Sequence, residues 1–481
     1  MNIRGICRSE DELKRRQKNL NQLRTKRRDH FLQQRRQEDT EETFIEPSNY
    51  FEYLHECKTR LTNPQTLISD KIKTVINLRK CVSSKQYIPI QEMIECNTFS
   101  ILLKCMTEEQ SDDIKYQIAW FFTNLAVSLD SETSDLIVHL GVIKVLLHCG
   151  LTTQRIENSV QCLWGATNYI IDSNECKEIA SANGIFTLLN RVITNDINNV
   201  HAYWSLSSLL RTPDCITPEL LNNFVQYIAY GLSSNNDSII VHCIRCVFYI
   251  GRNKTGLIKM FNSSIFIRCF YLASSNNQSI KQSSFKFIQW VSSSNDVEFI
   301  RLFDITIIIP YFIDLLKEIP LSWYHRIIMF TFSNLALTND KYIDQFIDSG
   351  TYYLAIQIII NSNVPEEALV RKECFLFIFY SVQQHYIPLL DHLIQNDFII
   401  SIFSKIKWTD SELVAQSISA ADILIHNESQ LYQFIDQFRE IGFDKRLQEI
   451  TESSDNEDLV DRASTLLLEY FDGEERDELS L

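Results

Sequence analysis

The sequence predicts an all-α protein built as a solenoid of helical repeats. Three observations carry that reading. From about Ser69 onward, apolar residues recur at i, i+3, i+4 and i+7, as in KIKTVINLRKCV and IFTLLNRVI, the period of one buried helix face. Gly (11) and Pro (9) are scarce among 481 residues, which disfavours turn-rich β sandwiches and Gly-rich nucleotide-binding folds. The chain also resembles itself at steps of 40 to 46 residues. An all-helical repeat of that length points to an armadillo or HEAT array.

The repeat is clearest in AWFFTNLAV, LWGATNYIID and YWSLSSLLR. Each has a Trp, then Asn or Ser four residues later, then apolar residues. The tryptophans are Trp120, Trp164 and Trp204, at steps of 44 and 40. The frame continues at Arg245, Lys286, Phe330 and Leu376, with steps of 41, 41, 44 and 46. Gly141, Gly184 and Gly350 each precede a helical run. They suit the sharp bend between the first two helices of a repeat, because Gly accepts positive φ without steric cost. Asp70–Met106 is expected to be one earlier repeat, and two or more degenerate repeats follow Leu376.

The charge is uneven. The chain carries 46 Lys+Arg and 61 Asp+Glu, a net of −15. Residues 1–36 hold 12 Lys/Arg and 4 Asp/Glu, for +8, leaving −23 on the remainder. An acidic body argues against direct nucleic-acid binding, which needs a basic folded surface. A basic arm suggests an acidic partner. No apolar run reaches the roughly 18 residues that span a bilayer. The strongest candidate, around Ile305–Leu316, is broken by Pro310 and Asp314. The charged N-terminus lacks the apolar core of a secretory signal. The 13 scattered cysteines read as reduced thiols, hence cytosol or nucleus.

Residues four apart share a helix face. Stacked repeats should therefore set Trp120, Trp164 and Trp204 in one row, with Asn124 and Asn168 beside them. A row of indoles forms slots for the stems of Lys or Arg and attracts their charge, by roughly 0.5–2 kcal/mol each. Asn offers a donor and an acceptor to an extended peptide backbone. Asp172, four residues after Asn168, would select positive side chains. A lone Trp on a helix usually packs in a core. Three in one register, each followed by Asn or Ser at the same offset, point instead to a groove for a Lys/Arg-rich peptide.

Further segments complete a resemblance. LRTKRRDHFLQQRR (Leu23–Arg36), DELKRR (Asp11–Arg16), PIQEMIECNTFSILLKCM (Pro89–Met106) and Ile441–Phe471 accompany the Trp-x-x-x-Asn repeats. Together they resemble importin alpha, the armadillo adaptor for nuclear localisation signals, over nearly the whole chain. The resemblance implies a right-handed armadillo-repeat α-solenoid of about ten repeats with a basic N-terminal helical arm. It implies residues 1–43 as an importin-beta-binding arm, 44–68 as linker, 69–471 as armadillo repeats and 472–481 as an acidic tail. It further implies a major peptide site at Trp120, Asn124, Thr133, Trp164, Asn168, Asp172, Trp204, Ser208, Arg211 and Tyr249.

Departures from the family pattern are also legible. Ser208 replaces an expected Asn, at a cost of about 0.5–1.5 kcal/mol per lost hydrogen bond. Arg245 and His242 stand where Trp and an acid are expected, and a cation there would repel a basic ligand. A second, minor site reads as eroded: Asn334 and Glu373 match, but Phe330 and Leu376 replace Trp, Tyr380 and Trp290 replace Asn, and Lys286 replaces Arg. One working site favours short, monopartite signals.

In the arm, Lys14, Arg15, Arg16, Arg24, Lys26, Arg27, Arg28, Arg35 and Arg36 are the residues the resemblance assigns to importin beta. An isolated basic helix is marginal in water and would fold on binding. A solvated or nucleic-acid-binding tail is the alternative. Gln33–Gln37 matches the stretch with which the family inhibits its own groove, but a Gln replaces the key Lys, so autoinhibition is expected to be weak. Thr451–Leu481 holds 11 Asp/Glu and 2 Arg, and would contact an export receptor or simply aid solubility. The chain would shuttle between cytoplasm and nucleus. No nucleophile, metal or nucleotide motif is present, and Cys243-x-x-Cys246 is half a zinc site at most. No enzyme activity, cofactor or metal is expected. An armadillo scaffold for basic partners outside nuclear import is the competing reading.

Overall fold

The computed structural model describes residues 46–83, 87–129, 131–171, 173–211, 218–251, 264–294, 297–362, 364–395, 398–426, 431–454 and 456–471. No strand occurs among them. The chain divides into two compact units at Cys269 and Phe270. Each is an armadillo stack in which a short helix, a bend, a second helix and a third helix recur.

In the first unit the pattern is complete around Ser131–His139, Val142–Thr152 and Ile156–Ile170, and again at Asn174–Ala182, Ile185–Asn195 and Val200–Leu209. The bends hold Gly141 at φ 92° and Gly184 at φ 88°, as the sequence predicts. Asn97, at φ 56°, takes the same place before Thr98–Glu108. Asn tolerates that conformation better than most side chains, so a search for Gly alone misses the bend. Ile185–Asn195 buries Ile185, Phe186, Leu188, Leu189, Val192 and Ile193, a continuous face at helical spacing.

The third helices form the spine. Ile68–Val82 packs on Asp112–Ser128, which packs on Ile156–Ile170, then Val200–Leu209, then Asp237–Gly251. Gly165 makes the second of these contacts close. A Cβ there would lie 2.9 Å from Thr123 Oγ1 and 3.3 Å from Leu146 Cδ1.

Two expectations need correction. Residues 44–68 are not all linker: Tyr50–Thr62 is a helix capped by the Asn49 side chain, and it buries Leu54, Cys57 and Leu61. Those three sit at steps of three and four among polar neighbours, a narrow stripe easily overlooked. It packs on Ile68–Val82 and Thr98–Glu108. Nor is Asp70–Met106 one repeat. Ile68–Val82 is the third helix of an incomplete opening repeat, while Ile90–Glu95 and Thr98–Glu108 begin the repeat that contains Trp120.

In the second unit the third helices are Gln278–Ser292, Trp323–Ala336, Ala368–Val382, Ser411–Ile425 and Glu457–Leu466, packed in that order. Gly350 (φ 71°) and Gly442 (φ 73°) hold the bends, the latter unforeseen. The core is markedly aromatic: Phe332 lies 4.5 Å from Phe346, and Tyr352 stacks on Phe377 at 4.7 Å. The apolar run near Pro310 splits into Val297–Ile305 and Ile308–Leu316, with Pro310 in the first turn, where no N–H is needed. Among the described residues no single helix is long and apolar enough to cross a membrane. Every described cysteine is buried and free of disulfides.

His325 closes a capping box: the Ser322 N–H donates to its Nδ1 at 2.8 Å. Burial disfavours the imidazolium and holds its pKa below the ordinary 6.5.

Two outcomes are expected. Gly165→Val should lower stability by about 1–3 kcal/mol, because the added volume must separate two packed helices; an unchanged denaturation midpoint would contradict that close contact. His325 contributes stability that is present above its unfolded pKa and lost as pH falls through its lower folded value. His325→Gln should therefore reduce the drop in melting temperature between about pH 7 and pH 5.5. An equal drop in both proteins would locate the acid sensitivity elsewhere.

Candidate peptide-binding surface on the third helices

The Trp register of the sequence is a spatial register. Asn124 Nδ2 donates to Ser83 Oγ at 2.8 Å, one repeat back. Asn168 Nδ2 donates to the Thr123 carbonyl at 3.0 Å. Gln161 Nε2 donates to Thr123 Oγ1 at 2.6 Å, and His242 Nδ1 lies 3.4 Å from Ser207 Oγ at the matching position two repeats on. Side chains at matching positions thus reach back to the preceding third helix along the first stack.

The row is less open than the sequence suggests. The Arg79 guanidinium lies 3.6 Å from the centroid of the Trp120 ring, and Arg79 itself is only 3% exposed. Arg79 stands 41 residues before Trp120, so it is the Trp-equivalent of the opening repeat. His201 stacks on Trp164 at 3.8 Å and 23°, leaving Trp164 4% exposed. Trp120 and Trp204 are half-buried. Arg79 lies one step before the first Trp of the row and is itself no Trp, so the Trp register does not mark it. His201 carries no periodic signal that marks it as a stacking partner.

The polar row is similarly committed. Asn124 is 2% exposed, and its Oδ1 is buried without a hydrogen-bond partner. Asn168 is half-buried. Ser208 turns its hydroxyl back to the Trp204 carbonyl at 2.9 Å. Thr133 lies in the helix Ser131–His139 and is half-buried. Tyr249 is half-buried against Phe248, with ring centroids 5.5 Å apart. Arg211 and Arg245 are exposed.

In the second unit the minor-site residues are largely interior. Asn334 is 0%, Glu373 5% and Phe330 6% exposed; of the four, only Lys286 is exposed. Phe330 therefore offers little aromatic face to a ligand. Glu373 faces Arg326 Nε at 3.6 Å. Leu376 is fully buried, and Trp290 packs edge-on against Phe299 at 5.1 Å. An apolar interior claims these positions because the aromatic second stack needs their volume.

Asp172, the arm residues Lys14, Arg15, Arg16, Arg24, Lys26, Arg27, Arg28, Arg35 and Arg36, the Gln33–Gln37 stretch and the tail 472–481 lie outside the described residues. Among the described residues, no group of three or more His, Cys, Asp or Glu could hold a metal ion. Burial raises the thiol pKa of both Cys243 and Cys246.

No protein-family model matches the chain. It is 23% identical over 210 residues to importin subunit alpha-6 of Arabidopsis thaliana, covering 41% of this chain and 39% of that one. It is 24% identical over 144 residues to importin subunit alpha-2 of the same plant, covering 29% and 26%. The matches thus span well under half the length of these relatives. Among solved structures, an engineered protein from a structural genomics consortium superposes with a TM-score of 0.70 at 16% identity, covering 86% of this chain and 98% of that one. The repeated third-helix spine is that of an all-α armadillo solenoid, and part of the chain is similar in sequence to importin alpha subunits.

Proposed function

We propose that this armadillo protein is a nuclear import adaptor. It binds Lys/Arg-rich localisation signals of cargo along its first stack and links them to importin beta through residues 1–43. The observation that carries the reading is the Trp120–Trp164–Trp204 register, with Asn at the fourth position after the first two, set on adjacent third helices. The partial likeness to importin alpha subunits supports the same reading.

The ligand would lie across the third helices, with lysine stems against the half-buried faces of Trp120 and Trp204. The Arg79 contact illustrates the chemistry: a guanidinium over an indole is attracted to the ring's negative face. At Trp164 a peptide must first displace His201, at a cost of about 0.5–1.5 kcal/mol for the lost stack. Asp172 would add the carboxylate that selects Lys. Burial of Phe330, Asn334 and Glu373 favours one working groove and short signals. The acidic C-terminal stretch would meet an export receptor, and the protein would shuttle between cytoplasm and nucleus. The covered indole at Trp164 favours a second reading, a scaffold for basic proteins outside nuclear import, in which the same groove binds weakly.

Fluorescence anisotropy of a labelled Lys-rich signal peptide against the full chain separates these readings. Trp120→Ala and Trp204→Ala should each weaken binding by about tenfold, as loss of an anchoring aromatic side chain does. Unchanged affinity in both variants would sink the groove assignment. His201→Ala should tighten binding by about threefold to tenfold by exposing Trp164. An equal or weaker affinity would mean that the imidazole does not guard the indole.

A further inference from the structure

The groove changes electrostatic character along its length. The helices Val200–Leu209 and Asp237–Gly251 carry no carboxylate after Asp237. They carry instead His201, His242 and Arg245, and Arg211 follows the first of them. Arg245 occupies the Trp-equivalent position beside Trp204, as the contact of His242 with Ser207 fixes. Arg245 and Arg211 are exposed, whereas Arg79, at the same register position in the opening repeat, is buried under Trp120. A purely basic peptide filling the whole row would bring like charges together at this end, which is destabilising.

We infer that Arg245, beyond Trp204 at this end of the groove, receives an anionic side chain of the bound peptide, so that the preferred ligand pairs a Lys/Arg core with a carboxylate or phosphorylated residue on one flank. The inference rests on the groove reading above and names the ligand class for it. Lysine stems lie against the parts of the Trp120 and Trp204 rings that neighbouring side chains leave exposed. The flanking anion meets Arg245 and, one turn earlier on the same helix face, His242. Such a contact sets specificity as well as affinity, because it penalises ligands that carry a cation at that place.

The test uses the full chain and labelled peptides that share one Lys/Arg core. The flanks are neutral, or carry a Glu pair or a phosphoserine on the N-terminal or C-terminal side. One anionic peptide of each kind should bind about threefold to fivefold tighter than the neutral one, the scale of an exposed ion pair, and the gain should shrink at high salt. Arg245→Glu should reverse that preference, with an unchanged melting curve. Equal binding of neutral and anionic peptides, or a preference untouched by Arg245→Glu, would overturn the inference while leaving the groove standing. Failure of every peptide to bind would overturn the groove reading and this inference together.

Discussion

Everything in the first stack follows from one constraint: an armadillo repeat cannot bury its own apolar face and must use its neighbours. The third helix feels this most, because it is packed on both sides. Side chains at its register positions therefore serve the stack before they serve any ligand. Asn124 and Asn168 reach back to the preceding helix, at Ser83 and the Thr123 carbonyl. Trp164 is covered from the following helix by His201. The same rows that suggest a peptide groove also hold one repeat against the next.

This double use explains how much was legible in the sequence. Features set by the local backbone were legible: the bends at Gly141, Gly184 and Gly350 follow from the residue itself, and all three have positive φ. The repeat frame was legible because the stack enforces it at every step. Contacts between repeats were not. Arg79 over Trp120 and Arg326 beside Glu373 join residues 41 and 47 positions apart, and nothing in either local segment announces the partner. The helix Tyr50–Thr62 was hidden for another reason. Its apolar stripe is only three residues wide, and it is stable because the adjoining helices supply the rest of its cover.

The two units solve the packing constraint with different chemistry. Buried amides and hydroxyls bridge the third helices of the first, as in Thr167 to Ser205 at 2.9 Å. The second fills the corresponding space with rings, and Phe377 alone contacts Phe332, Phe346 and Tyr352. Polar rungs tolerate some rearrangement, because a displaced amide can find another partner. Interlocked rings do not, since their fit depends on shape. A surface that must adapt to a ligand fits the first chemistry better than the second.

The buried thiols have a consequence of their own. Cys57, Cys81, Cys105, Cys149, Cys176, Cys243 and Cys374 are distributed through both stacks, and burial raises the pKa of each, to about 11 for Cys57 and about 12 for Cys81. Only a thiolate reacts readily with an alkylating reagent. Each cysteine therefore stays silent until its own repeat opens. The chain carries a built-in clock at many rungs, and the order in which the thiols become reactive records the order in which the solenoid unzips.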